Sequence, residues 1–176
     1  MFNAYGLIVG IAAAVWWSMA EYLEPRLKKI IPGILLLSLV GARIYHVFEY
    51  WEYYQSNNAA ILRVWEGGLS IWGAIIAGLV AMKISNYKLQ ITNVEKSEYV
   101  SAMITPLPLA QAIGRVANGV NGEFSNLVLG IPWWGMEALL DLVLFGVLVS
   151  LKKEWRLGGY LVGYSLIRLV LQPYRM

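Results

Sequence analysis

The sequence predicts an all-α integral membrane protein: a bundle of about six transmembrane helices with the N-terminus outside, forming one domain over residues 1–176. Composition is the first reason, because 59% of the residues are hydrophobic and only 14% are charged, against about 25% charged in soluble domains. The second reason is that the charges are grouped in short stretches between long uncharged segments. A helix that crosses a bilayer needs about 20 mostly apolar residues, and six segments approach that length.

The first segment has no basic region before it and no small-residue cleavage site, which indicates a retained span and not a removed signal peptide. The fourth and sixth segments each contain an arginine, and the fifth contains two carboxylates. No internal repeat or low-complexity linker separates them. The six predicted spans are Ala4–Ala20, Ile30–Phe48, Gly67–Ile84, Tyr99–Ala117, Pro132–Leu151 and Leu157–Pro173.

Loop charges predict the orientation. Basic residues concentrate in alternate loops, which the positive-inside rule assigns to the cytoplasm. The intervening loops hold mainly glutamates, so both termini are expected outside and the fourth span ends on the outer side. The nine basic residues of the cytoplasmic loops are Arg26, Lys28, Lys29, Lys83, Lys88, Lys96, Lys152, Lys153 and Arg156.

Several classes of function are excluded or disfavoured. The chain has no cysteine, which excludes disulfides, thiolate catalysis and cysteine-based metal sites. No cluster of His, Asp and Glu has metal-ligand spacing, so neither a metal nor another cofactor is expected. The net charge of +3 comes from loop residues without a recognition motif, so nucleic acid is not an expected partner.

Arginine is placed differently from lysine. All lysines lie in the cytoplasmic loops, whereas Arg43, Arg115 and Arg168 lie inside or at the edge of apolar spans. An arginine at membrane depth costs at least about 2.5 kcal/mol, so such residues face the bundle interior, a partner or a ligand. Two interpretations remain open: structural ion pairs with Glu137, Asp141 or Glu123, or an outer site where planar guanidinium groups bind an anionic head group.

The stretch "GRVANGVNGE", residues 114–123, concentrates polar groups at the end of the fourth span. Arg115, Asn118 and Asn121 follow each other at intervals of three, so they share one helix face if the helix continues. Gly119 and Gly122 allow close approach of a ligand or another backbone. The alternative is a helix C-terminus capped by Asn and Gly.

The fifth and sixth spans carry matching charges. Glu137 and Asp141 are four residues apart and therefore lie on one face, and we expect them to meet arginine from the sixth or second helix. Arg168 and Arg175 share a face on either side of Gln172.

His46 is the only histidine, and near a helix end it is more typical of an interfacial residue than of a catalyst. Five tryptophans are predicted as interface anchors: Trp16, Trp17, Trp51, Trp133 and Trp134.

Taken in order, these segments resemble the prolipoprotein diacylglyceryl transferase family. "PLPLAQAIGRVANGVNGE" is similar to the family signature Gly-Arg-x-Gly-Asn-x-x-Asn-Gly-Glu, with Ala117 at one glycine position. The other matching segments are "NAYGLIVG", "GARIYHVFEY", "RVWEGGLSIWGAIIAG" and "GYSLIRLVLQPYR".

The resemblance implies a multi-pass enzyme of the bacterial cytoplasmic (inner) membrane. Such an enzyme moves the diacylglyceryl group of phosphatidylglycerol to the cysteine thiol of a lipobox in a prolipoprotein signal peptide and releases glycerol phosphate. It implies that Arg115 binds the lipid phosphate and that Arg168 stabilises charge on the departing phosphate, with Glu123 as a further catalytic candidate. His46, one turn beyond Arg43, is a separate hypothesis for a residue that assists the thiol. The implied substrate-binding residues are Tyr5, Arg43, Asn118, Asn121, Gly122, Glu137, Gln172 and Arg175.

The sequence departs from the family pattern on the acceptor side. Trp72 stands where the family has a histidine, and Gln172 replaces a glutamate. The family's His-Pro-Ser-x-x-Tyr-Glu run remains only as Pro132 and Glu137, in a shortened stretch after the signature, and six spans are expected where the family tends to have seven. Two alternatives to transfer therefore remain: a relative that binds anionic phospholipid without transfer, and a small anion transporter.

Overall fold

The structure is a computed structural model that describes residues 4–63, 68–88 and 92–174. Its helices are α1 (Ala4–Leu23), α2 (Ile31–Glu49), α3 (Trp51–Ser56), α4 (Ile71–Lys88), α5 (Asn93–Ile104), α6 (Leu107–Val120), α7 (Trp133–Ser150) and α8 (Lys153–Leu171). Two short strands, β1 (Leu127–Val128) and β2 (Ile131–Pro132), pair antiparallel. Among the described residues, 3₁₀ turns cover Pro25–Lys29, Asn58–Leu62 and Gln172–Tyr174. The predicted mainly helical fold is confirmed.

Within the described residues, three helices are long and apolar enough to cross a membrane by length and composition: α1, α2 and α7. Ile71–Ser85 of α4 forms a shorter apolar helix. The count of six spans and the outward N-terminus stay predictions.

The fourth predicted span, Tyr99–Ala117, is wrong as one continuous helix. The chain forms α5 and α6 with a turn at Thr105 and Pro106. Proline has no N–H to donate to the preceding turn, and Pro106 and Pro108 follow each other closely. The Met103 carbonyl beside this break accepts a hydrogen bond of 2.8 Å from Trp16 Nε1 of α1.

The contacts divide the chain into two compact units. The first contains α1, α5–α8 and the hairpin, with α1 and α7 packed on α6, and α8 packed on α5 and α7. Its core includes Trp133, Leu144, Leu148, Ile167 and Leu171. The prediction of a single domain over residues 1–176 stays a prediction.

The second unit contains α2, α3 and α4, and α2 packs mainly on α4. Gly41 of α2 lies directly against Gly73 and Ala77 of α4, where an added methyl group would collide with both. Small residues at such a crossing let two helix backbones approach closely, as in membrane helix pairs.

Candidate functional site

Arg115 of α6 and Arg168 of α8 meet on one carboxylate from α7. Arg115 Nε lies 3.0 Å from Glu137 Oε2, and Arg168 Nη1 lies 3.3 Å from Glu137 Oε1. The Glu137 side chain is 0% exposed, whereas Arg115 and Arg168 remain 19% and 25% exposed. The predicted pairing of Glu137 with an arginine of the sixth segment is confirmed, and Arg115 joins the same carboxylate.

One carboxylate therefore serves two guanidinium groups, and each arginine keeps donors for other acceptors. Arg168 Nη2 donates to the neutral Gln172 Oε1 at 2.8 Å. Arg115 Nη1 reaches Asn118 Oδ1 at 3.4 Å, and its Nη2 donates to no acceptor in the described part of the chain. Guanidinium groups with unused donors can bind phosphate or carboxylate through two hydrogen bonds.

Helical spacing explains why these side chains meet. Residues four apart lie one above the other on a helix. On α7 the column is Trp133, Glu137 and Asp141, all 0% exposed. On α6 it is Gln111, Arg115 and Asn118, and on α8 it is Tyr160, Tyr164 and Arg168, continued by Gln172 just after the helix.

The signature stretch ends α6 with a Schellman motif. Gly122 has a positive φ of 74°, a conformation that favours glycine. Its N–H donates to the Gly119 carbonyl, and the Glu123 N–H donates to the Asn118 carbonyl at 2.9 Å. This is the bonding pattern of a glycine-capped helix end, so the capping interpretation describes the backbone correctly.

The side chains of the same stretch build a network on this cap. Asn118 Nδ2 donates to Glu123 Oε2 at 2.7 Å, and Asn121 Nδ2 donates to Glu123 Oε1 at 2.5 Å. A chain of contacts thus runs from Arg115 through Asn118 to Glu123. Capping and a polar site coexist, because the cap uses the backbone and the site uses the side chains.

The shortened stretch after the signature returns the chain directly to α7. Leu129 and Gly130, at φ of 52° and 83°, form the two-residue turn between β1 and β2. Both residues of such a tight hairpin turn require positive φ. The Trp133 N–H then donates to the Asn126 carbonyl at 2.7 Å, which fixes the start of α7 beside the signature.

Trp133 is the residue that the sequence interpretation missed. It was predicted as an interface anchor, which is wrong because its side chain is 0% exposed. Both Arg115 and Arg168 place their guanidinium carbons over its ring. Its position four residues before Glu137 was the available signal, since that spacing puts both on one helix face.

Asp141 was expected to contact an arginine directly, and it does not. Both of its carboxylate oxygens are buried and accept no hydrogen bond among the described residues, although Arg115 and Arg168 act on it electrostatically. Nearby polar groups form a separate pair, with Gln111 Nε2 donating to Tyr160 Oη at 3.0 Å.

In the second unit, Arg43 is buried and binds the backbone of the segment after α3. Its Nε donates to the Ile61 carbonyl at 2.9 Å, and Nη1 to the Gly68 carbonyl at 2.7 Å. Nη2 donates to the carbonyls of Ala60 and Arg63. In this structure Arg43 therefore orders a loop, and its predicted contact with substrate stays a prediction.

His46 lies one turn beyond Arg43 and packs between aromatic rings. Its ring centroid is 4.6 Å from that of Tyr50 and 5.9 Å from that of Tyr54. A methyl group on Gly68, which has a positive φ of 71°, would collide with both Arg43 and His46.

Trp72, at the family's histidine position, lies in the first turn of α4, and 64% of its surface is exposed.

Tyr5 and Arg175 are the two remaining predicted site residues. Tyr5 lies half-buried in the first turn of α1. Arg175 lies outside the described residues. The first unit thus brings together Arg115, Arg168, Glu137, Asn118, Asn121, Gly122, Glu123 and Gln172.

The whole chain, residues 1–176, matches the family described as prolipoprotein diacylglyceryl transferase. Proteins named phosphatidylglycerol–prolipoprotein diacylglyceryl transferase are similar to it. The protein from Lactococcus lactis subsp. cremoris is 33% identical over 133 residues, covering 72% of this chain and 50% of that protein. The protein from Clostridioides difficile is 32% identical over 156 residues, covering 79% and 62%.

A third relative, from Finegoldia magna, is 29% identical over 189 residues, covering 97% of this chain and 75% of that protein. The alignments to the Lactococcus and Clostridioides relatives thus span 50% and 62% of those proteins. The family match over the full chain agrees with the signature that contains Arg115, and the chain belongs to the prolipoprotein diacylglyceryl transferase family.

Proposed function

We propose that the protein transfers the diacylglyceryl group of phosphatidylglycerol to the lipobox cysteine thiol of a prolipoprotein signal peptide and releases glycerol phosphate. It acts as a multi-pass protein of the bacterial cytoplasmic membrane, with six spans and both termini outside. Its partners are this phospholipid, the lipobox peptide and the surrounding bilayer, and nucleic acid is not among them.

The observation that supports this proposal most is that Arg115 and Arg168 both contact the carboxylate of Glu137. Two arginines that form ion pairs with the two oxygens of Glu137 are placed to bind one phosphate group. Because Glu137 is the one carboxylate in direct contact with both guanidinium groups among the described residues, donors of each arginine remain for an anion. A partly buried guanidinium pair is suited to a lipid phosphate, since electrostatic interactions strengthen where water is excluded.

The reaction requires charge stabilisation on the phosphate and removal of a proton from the thiol. The sulfur attacks the glyceryl carbon that carries the phosphate ester, forming a C–S bond while the C–O bond breaks. The electron pair goes to the phosphate oxygen, where Arg115 and Arg168 stabilise the new charge. The thiol proton leaves to a base, for which His46 is the candidate from the sequence.

A transfer assay tests the proposal. The chain is expressed in a strain depleted of its own transferase, and transfer from labelled phosphatidylglycerol to a lipobox peptide is measured in membranes. Arg115→Ala and Arg168→Ala should each lower the rate at least about a hundredfold, the usual range for losing one donor to a developing oxyanion. Lys83→Ala, which removes an exposed cation, is the control. Unchanged rates in both arginine variants would contradict the assignment of the site.

The second candidate function is binding of anionic phospholipid without transfer, and Trp72 is the observation that favours it. An indole donates a hydrogen bond but accepts no proton, so the base that the family pattern places here is missing. Losing a general base typically lowers a rate by about 10²–10⁴-fold. Under this alternative the purified protein retains phosphatidylglycerol, transfers nothing, and gains transfer activity in Trp72→His. Loss of transfer in His46→Gln would instead indicate that His46 takes the proton.

A further inference from the structure

Trp133 is a second side chain, besides Glu137, that contacts both arginines. Arg115 and Arg168 place their guanidinium carbons 5.6 Å and 5.8 Å from the centroid of the Trp133 ring. The indole is 0% exposed. One aromatic side chain therefore lies within cation–π distance of both cations.

The charges at this point explain why an aromatic partner is useful. Two positive groups that contact one carboxylate repel each other, and a second carboxylate in direct contact would cancel the charge that an anion needs. Asp141, one turn further along α7, accepts no hydrogen bond from either arginine. An aromatic face attracts a cation through its quadrupole without carrying a formal charge, and this attraction is strongest where water is absent. Trp133 thus attracts both guanidinium groups and leaves the net charge of the pair unchanged.

The ring itself is fixed from several directions. Its Nε1 donates a hydrogen bond of 2.7 Å to the Leu171 carbonyl at the end of α8. Its ring centroid lies 5.1 Å from that of Phe124, in the loop after the signature. The backbone N–H of the same residue donates to Asn126. An immobilised ring restricts the two arginines that pack on it.

We infer that Trp133 is a positioning residue: its buried indole holds Arg115 and Arg168 together, so that both address one anion. The identity of that anion as a phospholipid phosphate rests on the proposed function. In the family pattern His-Pro-Ser-x-x-Tyr-Glu, aligned on Pro132 and Glu137, Trp133 falls at the serine position.

Chemical labelling of arginine tests the inference without relying on transfer. Phenylglyoxal modifies accessible guanidinium groups, and mass spectrometry gives the rate at Arg115 and Arg168 separately. In Trp133→Leu both rates should rise about three- to tenfold, the range for losing one cation–π contact. Trp133→Phe, which keeps an aromatic ring, should give intermediate rates. Trp134→Leu is the control, since Trp134 packs on Gly119.

A fluorinated tryptophan at position 133 keeps the shape and the N–H of the indole while weakening the electrostatic attraction of its face. This variant decides the question even if Trp133→Leu does not fold. Faster labelling of both arginines in the fluorinated protein supports the inference. Labelling rates equal to those of the wild type in the fluorinated protein would overturn it.

Transfer kinetics separate this inference from the proposed function. If the protein is a transferase, fluorination should raise the phosphatidylglycerol concentration at half-maximal rate about threefold or more, with a smaller effect on kcat. A fall in kcat alone, with unchanged arginine labelling, would show a merely structural role and overturn the inference. If the wild type transfers nothing, the proposed function fails while the labelling result still decides the role of Trp133.

Discussion

Arg168 and Gln172 lie one helical turn apart at the end of α8, and Arg168 Nη2 donates to Gln172 Oε1 over 2.8 Å. The family pattern has a glutamate at the position of Gln172. An amide oxygen orients the guanidinium group as a carboxylate would, but it does not neutralise it. Glu137 is therefore the only carboxylate in direct contact with Arg168 in the described part of the chain, and Arg168 keeps more of its charge for an anion.

Gln172→Glu should weaken binding of the anionic donor. The new carboxylate would compete with lipid phosphate for Arg168, and at this exposed position the effect is limited to about 1 kcal/mol, or about fivefold. Retention of phosphatidylglycerol by the protein purified in nanodiscs gives the measurement. Gln55→Glu, an exposed position on α3, adds the same charge elsewhere as a control. Tighter retention in Gln172→Glu would mean that this side chain does not oppose the lipid.

Glu137→Gln should destabilise the first unit strongly. The change leaves two partly buried guanidinium groups without a carboxylate in direct contact, and breaking a buried ion pair costs about 3–5 kcal/mol. Thermal unfolding of the purified protein checks this, with Glu52→Gln at an exposed site as the control. Adding Arg168→Gln to Glu137→Gln should restore part of the loss, because it removes one unpaired charge. No difference between the single and double variants would argue against the shared carboxylate.

The sequence predicted the contents of the site better than its geometry. Arg115, Asn118 and Glu137 could be assigned to interior helix faces, because charged residues in apolar helices must find partners. Which arginines would share Glu137 depends on how three helices pack, and the period of one helix does not contain that information.

Two features of the structure differ from what the sequence predicted. Tryptophan suits both a membrane interface and a buried core, so composition alone could not assign Trp133 to the interior. The break before α6 overrides an apolar run that satisfied the length criterion for a span. Pro106 was the local sign of it, although prolines are tolerated within many membrane helices.

Gly122→Ala should unfold the Schellman cap and disturb the site with it. A residue with a side chain at φ near 74° costs about 1–2 kcal/mol, and relaxing this strain would move Glu123 away from Asn118. Amide hydrogen exchange at Gly122 and Glu123 should accelerate, and transfer activity should fall. Gly146→Ala on α7 is the matched control, because its added methyl group meets nothing within 4 Å and its φ is helical. Equal exchange in the two variants would count against the cap.

Arg43→Lys should loosen the loop between α3 and α4 although the charge is kept. Arg43 donates to the backbone carbonyls of Ala60, Ile61, Arg63 and Gly68, and a lysine ammonium is a single point that cannot reach this spread of acceptors. Each hydrogen bond to a charged group contributes about 1.5–3 kcal/mol, so amide exchange in residues 58–63 should accelerate at least about tenfold. Arg156→Lys makes the same replacement in the first turn of α8, where Arg156 donates to the Val149 and Leu151 carbonyls, and should leave exchange in residues 58–63 unchanged. If Arg43→Lys preserved that exchange but abolished retention of phosphatidylglycerol, Arg43 would be acting on the lipid and not on the loop.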